Sequence, residues 1–124
     1  MTLIDTSVWV EALRKDGRPG FKERVKQLML ARQASVCEMV LLELWNGARG
    51  EAEQRSLAAI EGQVKLLPLS PDVWRLAYRL ARYARAQGLT VPASDVVIDA
   101  CARYYEADLY QNDSHFELIR TARV

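Results

Sequence analysis

The chain is poor in the residues that most often announce a function. It holds one histidine, His115, and two cysteines, Cys37 and Cys101, among 124 residues. No CxxC pair occurs, so a zinc site built from thiolates and imidazoles is excluded for want of ligands. Each cysteine sits in apolar sequence and reads as a reduced, structural thiol of a cytoplasmic protein. None of the six glycines falls in a G-x-x-x-x-G-K arrangement, which excludes P-loop chemistry. Charge of one sign is also missing: 17 Lys and Arg stand against 16 Asp and Glu, a formal net charge of +1. No global field draws a nucleic acid, and any such partner is recognised locally. The longest apolar run, Met39 to Trp45, is broken by Glu43 and falls far short of the ~20 residues that span a bilayer. Acids at positions 5 and 11, with no basic region ahead of an apolar run, do not read as a signal peptide.

Hydrophobic residues make up 50% of the chain, enough for one domain over residues 1–124 with its own core and too little chain for two. Residues 2–4 read as a short buried strand, followed at once by the helix-capping types Asp5, Thr6 and Ser7, and then by Val8, Trp9, Ala12 and Leu13 at helical spacing. Asp16-Gly17-Arg18-Pro19-Gly20 is turn chemistry. Phe21, Val25, Leu28 and Met29 mark a second helix, and residues 34–37 a second strand. Residues 38–48 form a helix that is apolar on nearly every side, with Glu43 in its middle; a more polar helix covers residues 51–61. A strand over 64–69, a long helix over 72–87, a helix capped by Ser94 and running to Tyr105, a strand over 107–111 and a short helix with Phe116 and Ile119 complete the chain. Short apolar strands alternating with longer helices predict an α/β fold in three layers, a central, mainly parallel sheet of four to five short strands flanked by helices.

Ligands of such a sheet bind in the crevice beyond the carboxyl ends of its strands. Asp5 and Asp113 each follow a predicted strand and so reach one rim from opposite ends of the sequence. Asp95, with Asp99 one turn on, adds acids near a helix start. Two carboxylates 4 Å apart repel by roughly 4 kcal/mol at an effective dielectric near 20, so a cluster calls for a cation. All-oxygen ligation suits Mg²⁺ or Mn²⁺ and phosphodiester hydrolysis. Helix capping explains Asp113 on its own; Glu43, flanked by Leu41, Leu42, Leu44 and Trp45, has no capping role and must either reach the surface or find a partner.

Four segments together resemble a known family. Leu3-Ile4-Asp5-Thr6-Ser7, Leu41-Leu42-Glu43-Leu44, Ser94-Asp95-Val96-Val97-Ile98 and Asn112-Asp113-Ser114-His115-Phe116 are similar, in order and spacing, to the acidic motifs of PIN domains, and among these of VapC-like toxins. The resemblance spans the whole chain. It implies a Mg²⁺-dependent (or Mn²⁺-dependent) endoribonuclease with Asp5, Glu43, Asp95 and Asp113 as catalytic acids, of which Asp5, Asp95 and Asp113 hold the metal. It also implies an RNA substrate and a small VapB-like antitoxin whose arginine reaches into the acidic pocket, hence a toxin–antitoxin hetero-oligomer; the apolar helix over 38–48 and the Trp-bearing helix over 72–87 offer more hydrophobic surface than one small domain covers, which predicts a homodimer as well. Ser7 is a cap or orients a metal-bound water, whereas Thr6 is a cap alone. Asp99 departs from the family pattern, which has a small apolar residue there; it is an extra ligand, a support for a ligand or the partner of Arg103. His115 is assigned to solvent or to a weak RNA contact. The tryptophans are core or interface anchors, and Arg75, Arg79 and Arg82 a solvated face. Two rivals remain: a catalytically weak PIN-like binding module, and a phosphatase using Asp5 as nucleophile. The second wants another Asp at position 7, where Ser7 stands.

Overall fold

Leu3 and Ile4 are both wholly buried, although side chains of successive strand residues point to opposite faces of a sheet. Their strand is therefore covered on both sides. In the computed structural model, which describes all 124 residues, this strand, β1 (Thr2–Ile4), is followed by α1 (Thr6–Leu13), α2 (Pro19–Leu30), β2 (Ala34–Val36), α3 (Glu38–Gly47), α4 (Gly50–Gln63), β3 (Lys65–Leu66), α5 (Pro71–Ala86), α6 (Ala93–Tyr104), β4 (Asp108–Tyr110) and α7 (His115–Ile119). The strands form one sheet in the order β3-β2-β1-β4, with every pair parallel. This is the expected α/β layering with four strands.

The order fixes where a ligand can bind. From β1 the chain steps outward to β2 and β3, then returns to place β4 on the other side of β1. Connections on the two sides of β1 depart in opposite directions, and this switch point opens a crevice at the carboxyl ends of β1 and β4. Asp5 follows one of these strands and Asp113 the other. The register Leu3↔Leu109 and Ile4↔Tyr110 is continued by a bond from Asp5 N to Tyr110 O (2.9 Å), so the two strand ends are level.

Helix ends follow the local sequence. In α5, Ser70 caps the start, its Oγ accepting from Val73 N, Pro71 fills the first position, and Arg85 lies in the last turn. Three helices close alike, on a residue in the left-handed region with a 6→1 bond behind it: Gly88 (φ 69°) after α5, Arg32 (φ 56°) after α2 and Glu106 (φ 53°) after α6. The last two turn the chain straight into β2 and β4. In α6, eight consecutive residues from Asp95 to Ala102 are buried, so this helix runs through the interior and carries Asp95 with it.

Two expectations change in detail. Pro92, not Ser94, is the residue before α6, and no side chain caps that end; Pro92 O instead accepts from Val96 N at 3.1 Å. The third strand is only two residues long, since Lys65 and Leu66 form the exposed edge of the sheet and pairing lapses after Leu67 N bonds Val36 O. The core unites 27 residues, among them Trp9, Cys37 and Cys101. Trp74 packs half-buried against it, while Trp45 is exposed and its indole N–H donates to Glu61. No helix is long and apolar enough to cross a membrane.

Candidate active site

Asp5 caps α1 and is 3% exposed. Its Oδ2 accepts from Ser7 N (3.0 Å) and from Ser7 Oγ (2.5 Å), while its Oδ1 is buried with no hydrogen-bond partner. Burial pushes its carboxyl above the ordinary range; the bonds from Ser7 and the Thr6 backbone pull it back, and the charge of Asp113 pushes it up again. The Ser7 hydroxyl also accepts from Asn112 N at 2.9 Å. One side chain thus joins the first acid to the loop that carries the last.

Glu43 projects from the middle of α3, half-buried, and its Oε1 accepts from Thr6 Oγ1 at 2.8 Å. Thr6 therefore does more than the capping expected of it: Asp5 makes the cap, and Thr6 holds a glutamate 37 positions away. Asp95, in the first turn of α6, is 7% exposed. Its carboxyl is pushed up to about 6 by burial first, then by Asp113, Asp5 and Glu43, with His115 acting the other way. Asp113 is half-buried, its Oδ1 accepting from His115 N (2.9 Å) in a turn that opens α7.

His115 does not face solvent alone, contrary to expectation. Its Nδ1 lies 3.2 Å from Asp95 Oδ2 and 2.9 Å from Asp113 Oδ1, and donor atoms of these three residues all fall within 4.8 Å of one another. The spacing Asp113-x-His115 is a signal that could have revealed it, since the turn closed on Asp113 brings the following ring back over the same carboxylate.

Asp99 is not part of this group. Although one turn from Asp95, it is ion-paired to Arg103, Nε to Oδ2 at 2.6 Å. Of the three roles open to it, the structure realises that one. Arg103 goes on to donate to the carbonyls of Ala122 (2.5 Å) and Ile119 (2.6 Å). Burial still pushes the Asp99 carboxyl up, against the pull of Arg103.

The charges around Asp95 make a pH-dependent prediction. Its carboxyl binds a proton near pH 6 in the folded, metal-free protein and near 3.8 in the unfolded chain. The stability this group contributes is complete below about pH 4 and is lost as pH rises through 6. Asp95→Asn removes the charge, so in chelator the variant gains on the parent, by several degrees in melting temperature, between pH 4.5 and 7.5. Parallel thermal melts across that range check it; curves that stay a constant distance apart refute it.

An unpartnered buried oxygen on Asp5, the charges of Asp113, Asp5 and Glu43 converging on Asp95, and an imidazole beside Asp95 and Asp113 fit a divalent cation. Residues 2–122 match the PIN domain family. Ribonuclease VapC11 of Mycobacterium tuberculosis is 31% identical over 123 residues, spanning 96% of this chain and 91% of that protein. Two solved complexes have the same fold. VapBC2 from Rickettsia felis, bound to a DNA fragment from its promoter, superimposes with a TM-score of 0.79 at 18% identity, covering 94% of this chain and 90% of that one. A toxin–antitoxin complex from Klebsiella pneumoniae gives 0.75 at 19% identity, covering 94% and 90%. The chain belongs to the PIN-domain family, and within it to the VapC ribonucleases.

Proposed function

We propose that this protein is a VapC-type toxin, a metal-dependent endoribonuclease restrained by a small VapB-like antitoxin. The observation that carries the reading is the buried, unpartnered Oδ1 of Asp5 at the switch point of the sheet, in reach of the charges of Asp95 and Asp113. Asp5, Asp95 and Asp113 would hold Mg²⁺ or Mn²⁺. When bound, that cation supplies a Lewis acid for the phosphodiester and eases the deprotonation of water. The chain does the positioning. Ser7 fixes the Asp5 carboxylate and the loop before Asp113. Thr6 holds one oxygen of Glu43, which leaves the other to orient the attacking water in line with the scissile bond.

A groove of about 860 Å³ runs between α1, α2 and α4, with Trp9, Val25, Met29 and Ile60 in its wall and Lys22 and Lys26 among its polar residues. It shares Leu13 and Ser56 with a second cavity, of about 540 Å³, that Glu43 lines. An amphipathic antitoxin helix with acidic flanks fits the first, and a following arginine reaches the acids through the second. Leu42 and Trp45 on α3 and Tyr78 on α5 are exposed and offer apolar contacts for a homodimer. Buried free thiols at Cys37 and Cys101 suit the cytoplasm.

The test is cleavage of labelled RNA by the purified chain. No cutting is expected in chelator, and cutting is expected to return as Mg²⁺ or Mn²⁺ is titrated in. RNA binding without turnover at saturating metal would leave a binding module, and cleavage that persists in excess chelator would refute the metal requirement.

A further inference from the structure

We propose that His115 is a nitrogen ligand of the cation held in this pocket, so that the site prefers Mn²⁺ and later transition ions to Mg²⁺. The proposal rests on the pocket being a metal site. Its first support is spacing. Around an octahedral ion with bonds of ~2.1 Å, neighbouring donors lie roughly 3 Å apart. The His115 Nδ1 separations of 3.2 Å from Asp95 Oδ2 and 2.9 Å from Asp113 Oδ1 match that edge. The second support is that donor atoms of Asp95, Asp113 and His115 all lie within 4.8 Å of one another, so one ion can reach all three, while the buried, unpartnered Oδ1 of Asp5 lies outside this set.

The ring is also held in place. His115 opens α7, its backbone N–H bonded to Asp113 Oδ1, while Phe116 and Ile119 anchor the helix in the interior at 3% and 0% exposure. With Nδ1 turned inward, the ligating tautomer carries its proton on Nε2, toward the open side. Imidazole is a poor ligand for Mg²⁺, which keeps oxygen and water around it, and a good one for the transition series, where affinity rises from Mn²⁺ onward.

A contrasting role would make His115 a counter-ion for Asp95 and Asp113 when metal is absent; its removal would then raise the affinity for every cation alike. Calorimetric titration of the full chain with Mg²⁺ and with Mn²⁺ separates the two, comparing the parent, His115→Ala and Asp113→Asn, each checked for folding by thermal melt. Nitrogen coupling in the electron spin-echo of bound Mn²⁺ gives a readout independent of catalysis. The expected result is a Mn²⁺ affinity about tenfold or more lower in His115→Ala, with Mg²⁺ affinity little changed and the nitrogen signal lost. If both metals weaken together, both tighten, or the parent shows no nitrogen coupling, the ligand role is overturned. Asp113→Asn distinguishes the deeper failure: if it binds both ions as the parent does, the metal pocket itself is wrong, whereas if it alone loses them the pocket stands and His115 is no ligand.

Discussion

Asp5→Asn and Asp113→Asn each lower RNA cleavage by about 100-fold or more while the protein remains folded. Loss of groups that merely support a metal ligand costs about 10- to 100-fold, and these two acids are assigned as ligands themselves. The fold tolerates the change for a reason visible at Asp5. Its carboxylate is buried and its proton is held more tightly than usual, so a neutral amide relieves a desolvation cost while an amide oxygen can still accept from Ser7. The expected pair of results is therefore a lost activity and a melting temperature that is unchanged or higher. Cleavage rates measured beside thermal melts check both at once. A variant that cuts as fast as the parent removes that residue from the catalytic set.

Arg103→Ala has the largest expected effect on stability. Arg103 neutralises Asp99, whose side chain is 11% exposed, and donates to the carbonyls of Ile119 and Ala122. Truncation leaves a buried charge without a counter-charge and strips the last turn of the chain of its donors. Breaking a buried pair from one side costs about 3–5 kcal/mol, a large part of the ~5–15 kcal/mol that holds a domain together. Urea unfolding checks the figure. Asp99→Asn is milder, because the amide still accepts from Arg103, and combining the two costs less than their sum. An Arg103→Ala protein within about 1 kcal/mol of the parent would mean that Asp99 finds water or gives up its charge by taking a proton.

The site was legible where it depends on local sequence. Asp5 could be placed because a buried strand and a helix start meet there, and Asp113 because another strand ends just before it. The pairing of Asp99 with Arg103 is an i,i+4 relation and was open to reading; the two carbonyls that complete it lie 16 and 19 residues further on, beyond any local rule. Thr6 and Glu43 meet only because α1 packs on α3, so a hydroxyl of a capping type holds instead a glutamate from a distant helix. The place of His115 is not legible in helical periodicity, which assigns no direction to the first residue of a five-residue helix. Residue type alone predicts a cap at Ser94, but the backbone is already helical there and Pro92 O receives the first bond.

The hydroxyl of Ser7 spans 105 positions of sequence when it accepts from Asn112 N. A ribosome that has released the chain through β3 and α6 has already made Asp5, Glu43 and Asp95, yet the strand that seats the fourth acid beside them is still to come. Until β4 pairs with β1, the nascent protein has an open sheet edge and no closed pocket. Contacts of such long span form late in folding. The four acids are therefore brought together only when the last strand of the sheet docks, so the pocket is completed with the fold and not before it.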